Sequence, residues 1–114
     1  VETLSIVLAV ILALICVVTA VADFKTIPQV IQTMERLKLP LRIIPVLGVA
    51  KLAGALGLLI GLSIDALLVY SAICLTVYFA LATWFHLRVK DDLVETAPAA
   101  TLSVVSLATL LTAI

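Results

Sequence analysis

Residues 43–62 read IIPVLGVAKLAGALGLLIGL, twenty residues with a single charge, Lys51. An apolar stretch of that length is what a helix needs to cross roughly 30 Å of hydrocarbon. Three further segments meet the same requirement. Thr3 to Ala22 carries no charge, and Ala66 to Leu87 has His86 as its one titratable group besides Cys and Tyr. Pro98 to Ile114 is apolar with many Ser and Thr. The first segment is a poor secretory signal, because it lacks a basic n-region and exceeds a typical h-region in length. Composition points the same way: 65% of the 114 residues are hydrophobic and 12% charged, against roughly 45–50% and about 25% in soluble domains. A mean hydropathy of +1.38 leaves too little polar surface to coat a water-soluble particle. Seven basic and seven acidic residues make no basic field, which excludes nucleic acid as a partner. The expected fold class is therefore all-α: a polytopic membrane protein, one domain over residues 1–114, built as a four-transmembrane-helix bundle. Its spans are expected at about 3–22, 43–62, 66–87 and 98–114, with the lipid bilayer as first partner.

The connections set an expected orientation. Lys25, Arg36, Lys38 and Arg42 lie between spans one and two, and Arg88 and Lys90 follow span three. The turn Leu62-Ser63-Ile64-Asp65 has neither Lys nor Arg. Six basic residues against none predict both basic loops in the cytoplasm and both termini outside. Within the first loop, Ile27, Val30, Ile31, Met34 and Leu37 mark one face of a short helix over about 27–38. Thr26-Ile27-Pro28-Gln29 reads as its capping box, and Pro40 as its stop. Such an amphipathic helix either lies at the interface on the inner leaflet or folds back over the bundle.

Small residues in span two give the expected packing face. Gly57 and Gly61, Ala50 and Gly54, and Ala53 and Gly57 are small-xxx-small pairs, which let backbones approach closely where lipid supplies no hydrophobic drive. Ala99, Ser103, Ser106 and Thr109 repeat the pattern in span four. Cys16 and Cys74 read as buried small apolar residues. They lie about 10 Å and about 18 Å from the basic ends of their spans, too far apart in depth for a disulfide that needs Cα atoms within about 7 Å. One His and two Cys at different depths do not make a zinc site.

Lys51 needs an explanation, since a Lys near the centre of a span costs about 2.5–3.5 kcal/mol on insertion scales. Helix side chains lean toward the helix N-terminus. Lys51 therefore leans toward the basic end of the bundle, while Asp23 and His86 lean inward from it. Tyr78 lies about 12 Å deeper than His86, close to the depth of Lys51. Two arrangements satisfy these positions. In one, Lys51 snorkels to headgroups and His86 and Asp23 are interface residues. In the other, Asp23, Lys51, Tyr78 and His86 line a polar pocket between the helices, with His86 at its mouth.

The segment Leu39-Pro40 followed by Val46 through Leu62 resembles the central signature of DoxX-like membrane proteins. So do His86-Leu87-Arg88-Val89 with Asp91, and the later Ala97-Pro98-Ala99, in the same order and over nearly the whole chain. The resemblance implies four spans, a bacterial plasma membrane and a redox neighbourhood, because the family takes its name from a subunit of a quinone-reducing oxidoreductase. The family commonly has Glu where this chain has Lys51, and a small residue, Lys and Leu where it has Ala22-Asp23-Phe24-Lys25. An exchange of charges between spans one and two would preserve an Asp23–Lys51 ion pair with reversed sign.

Three functions follow as expectations. The first is an accessory subunit of a larger membrane complex, redox, respiratory or protective against oxidative stress, contacting other membrane subunits or its own copies. The second is a binder or enzyme for a lipophilic molecule such as a quinone, the one candidate cofactor, with Lys51 or His86 addressing a carbonyl. The third is a small exporter.

Overall fold

The computed structural model describes residues 3–114. Its helices are α1 (Thr3–Lys25), α2 (Pro28–Arg36), α3 (Ile44–Gly61), α4 (Asp65–Arg88) and α5 (Leu93–Ala113), with a 3-10 turn at Leu41–Ile43 before α3. No strand occurs among the described residues. The four long helices, α1, α3, α4 and α5, are each apolar and long enough to span a bilayer. They pack in the ring order α1–α3–α4–α5. Leu12, Ala13, Cys16, Ala55, Leu58, Leu68, Leu75 and Phe79 form the apolar centre. The longest dimension, 40 Å, exceeds the roughly 30 Å hydrocarbon layer.

Two buried hydroxyls of α5 are satisfied by donating back to the carbonyl four residues earlier. Ser106 Oγ donates to Leu102 O at 2.7 Å and Thr109 Oγ1 to Val105 O at 2.8 Å, and both residues are fully buried.

Two sequence expectations are corrected, the capping box and the burial of Cys74. The capping box does not form: Ile27, not Thr26, is the cap residue of α2 and no side-chain cap bond is made. The residue before a proline is pushed to extended backbone, which places the boundary at Ile27 (φ −64, ψ 153) ahead of Pro28. Thr26, at φ 50, instead closes α1 as a Schellman motif, with Ile27 N donating to Ala22 O and Thr26 N to Asp23 O. The helix that carries span four starts at Leu93, ahead of Pro98. The missing Pro98 amide forfeits one bond, to a carbonyl in the exposed first turn, and Glu95 there favours the helix dipole. Cys74 is exposed, while Cys16 is buried. The buried face of α4 runs through Leu68, Ser71, Ala72, Leu75 and Phe79, which leaves Cys74 on the flank toward the small residues of α3.

α2 lies at the basic end of the bundle, where the sequence placed an interfacial helix. Met34 and Leu37 are buried beneath it, whereas Gln29, Gln32, Glu35 and Arg36 face outward.

Candidate functional site

The glycines of α3 decide where the bundle is tight and where it opens. A Cβ on Gly61 would fall 2.6 Å from the backbone of Leu68, one on Gly54 would fall 2.5 Å from Leu75, and one on Gly57 would overlap Ser71. All three therefore seat α3 on α4 in the half of the bundle near the Ser63 turn. Gly48 faces α1 instead, where a Cβ would meet the Phe24 ring at 3.2 Å and Asp23 Cβ at 3.3 Å. Toward the basic loops α3 thus stays with α1, and a cavity of about 520 Å³ lies among the helices there. Its walls are mostly apolar, with Thr19, Asp23, Lys51, Tyr78, His86 and Glu95 among its lining; α2 contributes Val30, Thr33 and Met34, and Leu37 follows just beyond it.

Lys51 and Asp23 meet on one wall. Lys51 Nζ donates to Asp23 Oδ2 at 2.8 Å, with side-chain exposures of 15% and 7%. The bare backbone at Gly48 lets Asp23 come this close. The lean of each side chain toward its own helix N-terminus carries the two groups to a common depth. A charge that would be costly alone in hydrocarbon is thereby paired.

His86 is held by a second set of charges at the basic end. The Lys90 backbone (φ 54) closes α4 as another Schellman motif, and the turn brings Asp91 back beneath the imidazole. His86 Nδ1 donates to Asp91 Oδ2 at 2.7 Å. Arg36 of α2 donates to Asp91 Oδ1 at 3.2 Å through Nε and to Glu95 Oε2 at 3.2 Å through Nη2. The His86 hydrogen bond is the strongest influence holding the Asp91 carboxyl below the usual carboxylate range; partial burial opposes it, and Arg36 and the Asp92 amide add to it. Arg88 Nη2 also donates to Leu37 O at 3.2 Å, with its guanidinium 4.9 Å from the Phe85 ring centre. Together these contacts clamp α2 across the cavity onto α4 and α5.

Of the residues singled out from sequence, Asp23 and Lys51 are in contact, and Tyr78 and His86 line the same cavity. The carboxylate beside His86 is Asp91, not Asp23. Arg36 and Glu95 were missed, because nothing in their spacing announces a contact across more than fifty residues. Asp91 stood in the sequence signature beside His86, but only the turn at Lys90 joins them. With the Lys51 charge already met by Asp23, the walls suit a neutral molecule. The polar groups able to address one are the Lys51 ammonium, the Tyr78 hydroxyl and the second imidazole nitrogen, Nε2.

Residues 7–109 match the DoxX-like family. Comparison with curated proteins and with solved structures gives no match.

Proposed function

We propose that this chain, which belongs to the DoxX-like family and is an integral multi-pass membrane protein, binds a lipophilic molecule with a compact carbonyl-bearing head, a quinone being the class in view. The observation that carries the reading is the 520 Å³ cavity, mostly apolar yet holding Asp23, Lys51, Tyr78 and His86 in its lining. Sites for small apolar ligands combine such walls with a few placed polar groups. Lys51 and Tyr78 would donate to a head-group oxygen, and His86 would address its opposite edge from the basic end. The Asp23 carboxylate keeps the Lys51 charge balanced whether or not a ligand is present.

The test is direct. Protein purified in mild detergent is extracted with organic solvent, and a tailed benzoquinone is titrated onto the stripped protein by quenching of Trp84, the single tryptophan. Quinone in the extract and saturable quenching weakened by Lys51→Met are expected. An extract free of lipophilic carbonyl compounds, with quenching that never saturates, overturns the reading.

A second reading, an accessory subunit, is favoured by how little of the described chain lies outside the spans: α2 and short connections. A stoichiometric membrane partner in the same purification supports it, and a lone monodisperse protein counts against it. The charge asymmetry supports a plasma-membrane orientation with both termini outside. A Cys introduced at Ser63 should then react with an impermeant reagent on intact cells, and reaction only after permeabilisation reverses the orientation.

A further inference from the structure

Lys51 has more hydrogen-bonding capacity than the protein uses. An ammonium carries three donors, and among the described residues Asp23 Oδ2, at 2.8 Å, is the one acceptor that Nζ meets. The side chain is only 15% exposed, and it lines the main cavity together with apolar groups such as Leu47, Phe79 and Leu102. The other lysines, Lys25, Lys38 and Lys90, are exposed at the basic end. Of the four lysines in the chain, Lys51 alone is enclosed, faces an apolar cavity and has a carboxylate within hydrogen-bond reach. A desolvated primary amine beside a group that can take its proton is the arrangement from which lysines form Schiff bases with carbonyl compounds.

We infer that Lys51 captures lipophilic aldehydes as a protonated imine, with Asp23 as proton carrier and counter-ion. The inference rests on the cavity being the ligand site proposed above, and adds to it a second carbonyl class, held covalently. Asp23 Oδ2 takes one proton from the ammonium, which frees the nitrogen lone pair. The amine adds to the aldehyde carbon, forming the N–C bond while the C=O π pair moves to oxygen. A proton passes from nitrogen to that oxygen, giving a carbinolamine. Asp23 then returns its proton to the hydroxyl, water leaves, and the nitrogen lone pair closes the C=N bond. An ammonium and an aldehyde have become an iminium and one water, with no change of oxidation state. The site holds one cation beside one carboxylate before and after, so no unpaired charge is left in the bundle. An aldehyde suits the site better than a ketone, because its carbon is more electrophilic and brings one chain to be housed instead of two. The apolar walls keep out the water that would hydrolyse the product.

The intact protein in nanodiscs is incubated with dodecanal, free aldehyde is removed, and surviving imines are reduced with borohydride to secondary amines that peptide mass can locate. Lys51 should carry the dodecyl group at least about tenfold more than Lys25, Lys38 or Lys90, whose imines meet water during the removal step. Lys51→Arg, which keeps a cation beside Asp23, should abolish the signal at position 51, and a tailed benzoquinone should suppress it in the wild-type protein. A conjugated polyene aldehyde reports the proton, since its protonated imine absorbs at longer wavelength than the neutral one. Asp23→Asn should move that band to shorter wavelength at neutral pH. Labelling spread evenly over the four lysines, or absent from Lys51, refutes the imine. If Lys51 stays unlabelled while the tailed benzoquinone still saturates Trp84 quenching, the imine is refuted and the proposed function stands. Selective labelling of Lys51 in a protein that binds no quinone upholds the imine and removes the quinone. If Lys51 is unlabelled and no quinone binds, both readings fall.

Discussion

Removing one member of the Asp23–Lys51 pair should destabilise the bundle as much as removing both. At 2.8 Å and an effective dielectric of about 20, opposite unit charges attract by about 6 kcal/mol. Much of that is offset by the cost of taking both groups out of water. Lys51→Met leaves the 7%-exposed Asp23 carboxylate without its ammonium, and Asp23→Asn leaves the ammonium without a counter-charge. Each should cost about 3–5 kcal/mol, the range for breaking a buried pair. The double variant removes both charges and should cost no more than the worse single variant, a coupling of about 3 kcal/mol or more. The assay is reversible unfolding by SDS titration in mixed micelles, followed through Trp84 fluorescence. Single-variant losses that add to within about 0.5 kcal/mol in the double variant would show that the contact contributes nothing, and the argument for its role would fail.

Gly61→Ala should cost about 3 kcal/mol or more in the same titration, because its Cβ meets backbone atoms of Leu68 that cannot rotate away; a change below 1 kcal/mol, measured beside Gly48→Ala, would mean the α3–α4 seam yields easily. Thr26→Gly should stabilise by about 1 kcal/mol, since a β-branched residue at φ 50 is held in a left-handed conformation that glycine adopts freely. The Asp91 carboxyl is held below its ordinary value of 3.8, so its clamp on α2 is fully present above that value and is lost as pH falls through the lower folded-state value. Amide protection in α2, measured against intrinsic exchange at each pH, should therefore hold from neutral pH to the mid-acid range and fall only below about pH 4, whereas Asp91→Asn should lower it already at neutral pH. A fall beginning near pH 6 in the wild-type protein would assign the clamp to a different group.

Periodicity and length carry the fold of this chain, since a span must satisfy its own backbone and a helix does so locally. The four apolar runs, the basic connections, the Ile27 to Leu37 stripe and the small residues at Gly54, Gly57 and Gly61 are all legible in the sequence. So is the lean that brings Lys51 and Asp23 to one depth, because side-chain direction is a property of the helix itself. Where local rules competed, the sequence was ambiguous: the pre-proline restriction outweighed the capping box at Thr26, and the exposed first turn of α5 tolerated Pro98.

Tertiary structure decided what lies between the helices. Glycines that look alike along α3 face different partners, Gly48 toward α1 and the other three toward α4, and that divergence makes the cavity. Cys74 is exposed because α3 sets only small residues beside it, a fact about a neighbour rather than about its own helix. The Arg36, Asp91 and Glu95 clamp joins α2 to the start of α5, and its partners are set by how a left-handed turn at Lys90 aims a short side chain. Sequence spacing records what one helix does to itself; which side chains meet across a bundle depends on the angles and separations at which helices pack.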